Sequence, residues 1–292
     1  MTGARLGWKR MVVGLPQSPA EQAAVDVAAH LAEFLQIELL ATFIADAALQ
    51  TLAELSGARE LRTLGQGWHA IDTAQIERDI ERAASLARER FAETVGTRAV
   101  KASFDVIADA GLIASRIRAD DIVAVIEPAH PGERITQQFT KLVEAAFGTA
   151  GAVLVVPRRI ARTSGPIVAL ATGAEDLSIR AALEIAAALK ERLTVVTAAD
   201  IALPIEVLAD AERFDVIVEQ IAGSELAGDA WSRLPGLRLQ ERLRVLSGGA
   251  LTGDVGALFA SLRGIPLLVV DHGRPAGEQE TEEDPQAGRS GA

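Results

Sequence analysis

The sequence predicts an α/β protein: two tandem doubly wound domains, each built on a five-stranded parallel sheet. Three observations predict it. Short, continuous Val/Ile/Leu runs alternate with longer helix-period segments, as a parallel sheet covered on both faces requires. The pattern restarts midway: PIVALATGAEDLSIRAALEIAAALKERLTVVTAAD (166–200) repeats the strand, turn, Ala-rich helix, strand and closing Asp of MVVGLPQSPAEQAAVDVAAHLAEFLQIELLATFIAD (11–46). Aromatics are scarce, with no Tyr, so Ala, Leu, Val and Ile must fill the core.

Each element follows in order. Met11–Leu15 is the first strand. Ser18–Leu35 is a helix, with Ala24, Val27, Ala28, Leu31 and Leu35 recurring on one face. Its start is marked by Ser18, Pro19 and Glu21, a capping box with proline at the first helical position. Ile37–Ile44 is the second strand, and residues 46–72 form an irregular, partly helical insert. Thr73–Thr94 is a long charged helix with Ile76, Ile80, Ala84 and Phe91 on one face. Val100–Ala108, a short helix Gly111–Arg118 and Asp121–Ile126 follow. A loop (Glu127–Arg134), a helix (Ile135–Phe147) and the strand Ala152–Val156 close the first copy.

Pro157–Gly165 is a polar, Arg-rich link. Arg158, Arg159 and Arg162 read as its solvated face. In the second copy Thr172 and Glu175 offer another capping box. Phe214–Ile221, Leu243–Leu246 and Pro266–Val270 are its later strands, with helices at Ser224–Leu234 and Thr252–Leu262. The closing runs GAVLVVP (151–157) and GIPLLVVD (264–271) match as well. The domains are therefore 1–160 and a shorter 164–272. Residues 273–292 are acidic, rich in Gly and Pro and without a large apolar side chain, which predicts a disordered tail.

Charge and composition exclude several functions. A net charge of −11 argues against nucleic-acid binding and against docking on an anionic membrane. No Cys means no disulfide, no thiolate nucleophile and no Cys-ligated zinc. His30, His69, His130 and His272 fall in no metal-ligand spacing, and His30 reads as a surface or half-buried helix residue. No apolar run is long enough to span a bilayer, so the expected location is cytoplasmic. There is no G-x-S-x-G elbow and no Walker A motif. Asp120 and Asp121 precede strand four, opposite the usual ligand crevice, and read as surface turn residues. Trp68 and Trp231 are single aromatics.

The element order, the opening VVG…S-x-x-E…AA…LA and the closing AVLVVP resemble the universal stress protein family, and the duplication resembles its tandem members. The resemblance covers nearly all of residues 8–271. It implies an adenine-nucleotide α-hydrolase-like fold and a cytoplasmic stress-response role. Some members bind ATP through an Asp at the end of strand one and a G-x2-G-x9-G-[S/T] loop after strand four. At these positions the first half of this chain has Pro16, then Ile126, Ala129 and Phe139, with Thr140 alone retained. Its loop carries Pro128, Pro131, Glu127 and Glu133, which remove donors and repel phosphate. In the second half the Asp position falls on Ala171 or Thr172. Ser247-Gly248-Gly249-Ala250-Leu251-Thr252-Gly253-Asp254 follows strand four, several residues shorter than the family loop. Gly248, Gly249 and Gly253 are the candidate anion-binding residues, as a small amide nest. The competing reading is a tight turn that needs glycine, and Asp254 disfavours a phosphate.

The expected function is therefore a non-enzymatic regulatory or stress-associated scaffold without cofactor or metal. It would act through domain pairing, homo-oligomerisation or a protein partner, with Val153–Val156 and Leu267–Val270 pairing within the chain. The alternative is a sensor that binds ATP or AMP through the second domain. A nucleotide hydrolase lacks the metal-binding carboxylate at the end of strand one.

Overall fold

The computed structural model describes residues 6–15, 22–45, 51–52, 54–55, 57–61, 67–108, 110–128, 131–173, 176–198, 201, 203, 215–221, 240–248 and 262–270. In chain order the first half has β1 (Arg10–Leu15), α1 (Gln22–Leu35), β2 (Glu38–Ile44), β3 (Arg59–Leu61), β4 (Trp68–Ala70), α2 (Thr73–Val95) and β5 (Ala102–Ile107). A 3₁₀ turn (Ala110–Ser115), β6 (Asp121–Ile126), a second 3₁₀ turn (Pro131–Ile135), α3 (Gln137–Thr149) and β7 (Ala152–Val156) complete it. The second half has β8 (Ile167–Ala171), α4 (Leu177–Leu189), β9 (Leu193–Ala198), β10 (Val216–Ile221), β11 (Leu243–Ser247) and β12 (Leu267–Val270).

Ten strands form one sheet in the order β10-β9-β8-β11-β12-β7-β6-β1-β2-β5. Each half runs third, second, first, fourth, fifth from its outer edge inward. Every pairing is parallel except the central one, where β12 meets β7 antiparallel with Leu268 opposite Leu154 and Val269 opposite Val153. The two fifth strands thus pair within the chain, at the segments singled out from sequence. All eight paired residues there are at most 2% exposed, so the seam is core rather than rim. Complete burial of each Val or Leu contributes roughly 1.5–3 kcal/mol.

Alternation along the strands divides the core between the two faces. Met11 and Val13 of β1 pack on the α1 side with Ala24, Ala28 and Ala32, whereas Val12 packs on the α3 side with Val143 and Ala146. Alanines on α1 let that helix lie close to the sheet. Gly14 serves the other face in the same way: a Cβ there would stand 2.8 Å from Leu142 Cδ2, so its absence lets α3 settle on β1. The link between the halves is pinned. Ala161 N donates to Gly264 O at 2.7 Å. Gly165 has φ +128°, where its Cβ would lie 2.3 Å from Gln240 O.

The structure revises four local expectations. The insert contains the β3–β4 hairpin, with Leu61 opposite Trp68. The short helix at Gly111–Arg118 is a 3₁₀ turn ending at Ser115. The helix expected at Ile135–Phe147 begins at Gln137, because Thr136 caps it by accepting from Phe139 N. Asp121 is not a surface turn residue but fully buried. It accepts Arg10 Nε at 3.0 Å, Arg10 Nη2 at 2.6 Å and Arg118 N at 2.8 Å. Asp120 bonds Lys9 at the rim. Among the described residues no helix is long and apolar enough to cross a membrane.

Candidate functional site

Open parallel sheets bind ligands outside the carboxyl ends of their strands, where strand order reverses. This chain has two such points, between β1 and β6 and between β8 and β11. A phosphate there needs free amide donors, a favourable helix dipole and space.

At the first point β6 ends in buried Ile126 and runs directly into Glu127. Glu127 N donates to Val156 O at 2.9 Å. The Glu127 carboxylate, 17% exposed, accepts Arg158 N at 2.9 Å and pairs with the Arg134 guanidinium. A side-chain anion therefore already ties together the loops that leave β6 and β7, and Arg134 is spent on it. Helix α3 closes the same side. Gln138 Nε2 donates to Ile44 O at 2.6 Å, at the end of β2, and half-buried Phe139 packs into the core below. Thr140 is exposed on α3 and its amide is used within the helix, bonding Thr136 O at 3.0 Å.

At the second point β8 ends at Ala171, followed by Thr172. The residue capping α4 is Asp176, not Thr172 as the sequence led us to expect. Asp176 Oδ1 accepts Ser178 N, and its Oδ2 accepts both Thr172 N and Thr172 Oγ1, each at 2.9 Å. Aspartate wins the position because its two oxygens satisfy the turn and the first helical turn together. The consequence is again a carboxylate in the crevice, here at a helix N-terminus, where a bound anion would otherwise gain from the dipole. Across the crevice, Gly248 is half-buried and directly follows β11. Gly249, Gly253 and Asp254 lie outside the described residues, as do Pro16, the Ser18–Glu21 capping box, Ala129, His130, Glu175 and Trp231.

A third cluster lies away from both crevices, on residues that form no motif in the sequence. Arg98, between α2 and β5, pairs with Asp26 and Glu33 of α1 and reaches His30 Nδ1 at 3.0 Å. Burial opposes the Arg98 charge, yet Asp26 and Glu33 outweigh it and hold the guanidinium above its ordinary range. The Ala99 amide, then Arg98, keeps Glu33 below the usual carboxylate range. Burial, then the charges of Arg242 and Arg98, pushes His30 down. His30 is half-buried and tilted against Phe34, with ring centres 4.7 Å apart. No sequence signal joins Arg98 to α1, because the contact spans 65–72 residues. Asp176 was findable: an Asp directly before an apolar helical run is a cap signal. Among the described residues no three His, Asp or Glu are grouped to hold a metal ion.

No family model and no curated protein sequence matches the chain. Among solved structures it is similar to a universal stress protein from Archaeoglobus fulgidus DSM 4304 at 13% identity. That match covers 90% of this chain and 97% of the other, with a TM-score of 0.54. It is also similar to a functionally unknown protein, PA1789, from Pseudomonas aeruginosa PAO1, at 16% identity over 91% of this chain and 93% of that one, TM-score 0.45. The first match shows the fold: a large, mostly parallel sheet wound as in a universal stress protein.

Proposed function

We propose that this chain is a cytoplasmic stress-response or regulatory protein of the universal stress type that performs no catalysis. It acts as a scaffold, through its paired halves and a protein partner, and its ATP sites have been lost. The observation that carries the reading is the pair of carboxylates, Glu127 and Asp176, standing at the two switch points. Each accepts donors that a phosphate would need. The antiparallel seam supports it as well, since a scaffold needs a fixed arrangement of its halves and no open crevice.

A thermal-shift titration of the full chain with ATP and with AMP, with and without magnesium, tests this. A ligand present at 100 times its Kd would add about 2.7 kcal/mol of stability. The scaffold reading expects no shift that depends on Gly249 and no phosphate release. The position of Gly248 directly after β11 favours one second reading, a sensor that holds ATP or AMP through Gly248, Gly249 and Gly253. Stabilisation by either nucleotide that disappears in Gly249→Val would establish the sensor and retire the scaffold.

A further inference from the structure

The groove where the two halves meet gathers three arginines in an acidic chain. A cavity of about 320 Å³ opens there. Asp26 and His30 of α1 face it, with Arg98 beside them, Arg162 from the link and Arg242 from the second half. Three guanidinium groups thus line it against one carboxylate, in a protein of net charge −11. The three differ in how fully they are paired. Arg98 is engaged by Asp26 and Glu33, which cancels Asp26 as a repulsive group. Arg242, 15% exposed, has one long contact to Glu191 at 3.4 Å. Arg162 is exposed and makes no ion pair among the described residues. Apart from Thr163 the rest of the wall is apolar, with Val27, Leu189 and Pro266 and the buried Leu31, Leu154 and Leu243 behind them. Burial first, then Arg242 and Arg98, holds His30 below its ordinary value against the pull of Asp26 and Glu33.

We propose that this groove binds a small organic phosphate monoester, its phosphate held by Arg162 and Arg242 and its apolar body laid on the half-buried Val27 and Leu189. A guanidinium fork matches phosphate oxygens two at a time; Arg162 offers one such fork, and Arg242 a second on giving up its 3.4 Å contact to Glu191. The volume lies at the lower end of small-molecule sites, roughly 300–1,000 Å³, which selects a compact ligand. The site takes side chains from both halves and from the link, so it exists only when the halves share the seam. It is independent of both switch points.

The test is isothermal titration of the full chain with phenyl phosphate, inorganic phosphate and benzoate. Phenyl phosphate should bind at least about tenfold more tightly than inorganic phosphate, because the ring buries apolar surface. Arg162→Gln should weaken phenyl phosphate at least about fivefold without changing Tm, since that side chain is exposed and makes no ion pair among the described residues. Arg242→Gln should weaken it too. Absence of binding at about 10 mM phenyl phosphate, a Kd giving less than ~3 kcal/mol, overturns the proposal. So does equal affinity for phenyl and inorganic phosphate, or an affinity that Arg162→Gln leaves unchanged. Benzoate binding as tightly as phenyl phosphate overturns the assignment to phosphate.

Discussion

Replacing Asp121 by Ala should be among the most damaging single changes in the first half. Asp121 begins β6 directly opposite Arg10 of β1 and is fully buried. The substitution removes both acceptors of the Arg10 fork and the acceptor of Arg118 N. Breaking a buried pair from one side typically costs about 3–5 kcal/mol, because the surviving charge stays desolvated. Arg10 keeps its bond to Arg116 O at 2.7 Å and its side chain is 17% exposed. The cost should therefore sit near the lower bound, about 3 kcal/mol. Urea unfolding reads it as a lower midpoint at unchanged slope. Arg10→Met should cost a similar amount by orphaning the aspartate. Combined with Asp121→Leu, it should recover about 2 kcal/mol or more relative to the sum of the single changes. A loss below about 1 kcal/mol for Asp121→Ala, the value of a solvated surface pair, would refute the account of a buried, structurally committed charge.

Two further outcomes follow from local geometry. Gly165→Ala should cost at least about 2 kcal/mol, since its φ of +128° is a glycine conformation and the new Cβ meets the Gln240 carbonyl. Gly14→Ala should cost less, about 1 kcal/mol, because the atoms it meets are the flexible end of Leu142; urea midpoints that reverse this order would contradict the packing described. On acidification, His30 and Glu33 act together. Each has a folded-state pKa below its ordinary value, 6.5 and 4.5 respectively, so each contributes stability that is present above that value and lost as pH falls through the folded one. Stability should decline below pH 6.5, and His30→Gln should flatten the upper part of that decline in a pH series of urea melts.

Legibility in the sequence tracked how local the cause was. β6 and β7 appear at the residues read from their apolar runs, because a fully buried parallel strand is written as an unbroken stretch. The start of α2 was legible for the same reason, with Asp72 capping a charged amphipathic run. The β3–β4 hairpin was not legible. Its strands are three residues long and largely exposed, so neither alternation nor burial marks them. Asp121 looked like half of a polar doublet, and only the register that sets Arg10 against it makes it a core residue. The first crevice failed in part for that reason: the proline-rich loop was visible, but the bond from Arg158 N to Glu127 closes across 31 residues. Gly248 is plain in sequence, yet the group across the crevice from it is Asp176, which Thr172 masked by offering a better-known pattern.

The antiparallel seam also sets a timetable. β7 ends at Val156, and its partner β12 begins at Leu267, after the 110 residues from 157 to 266. At roughly 5–20 residues per second, a ribosome needs on the order of 5–20 s to deliver that partner. Until then β7, with Val153, Leu154 and Val155 destined for complete burial, is the open edge of an otherwise finished five-stranded sheet. An unpaired apolar edge recruits other strands. A lesion that slows or unfolds the second half should therefore harm the first by leaving its edge available, and the first product should be chains joined through β7.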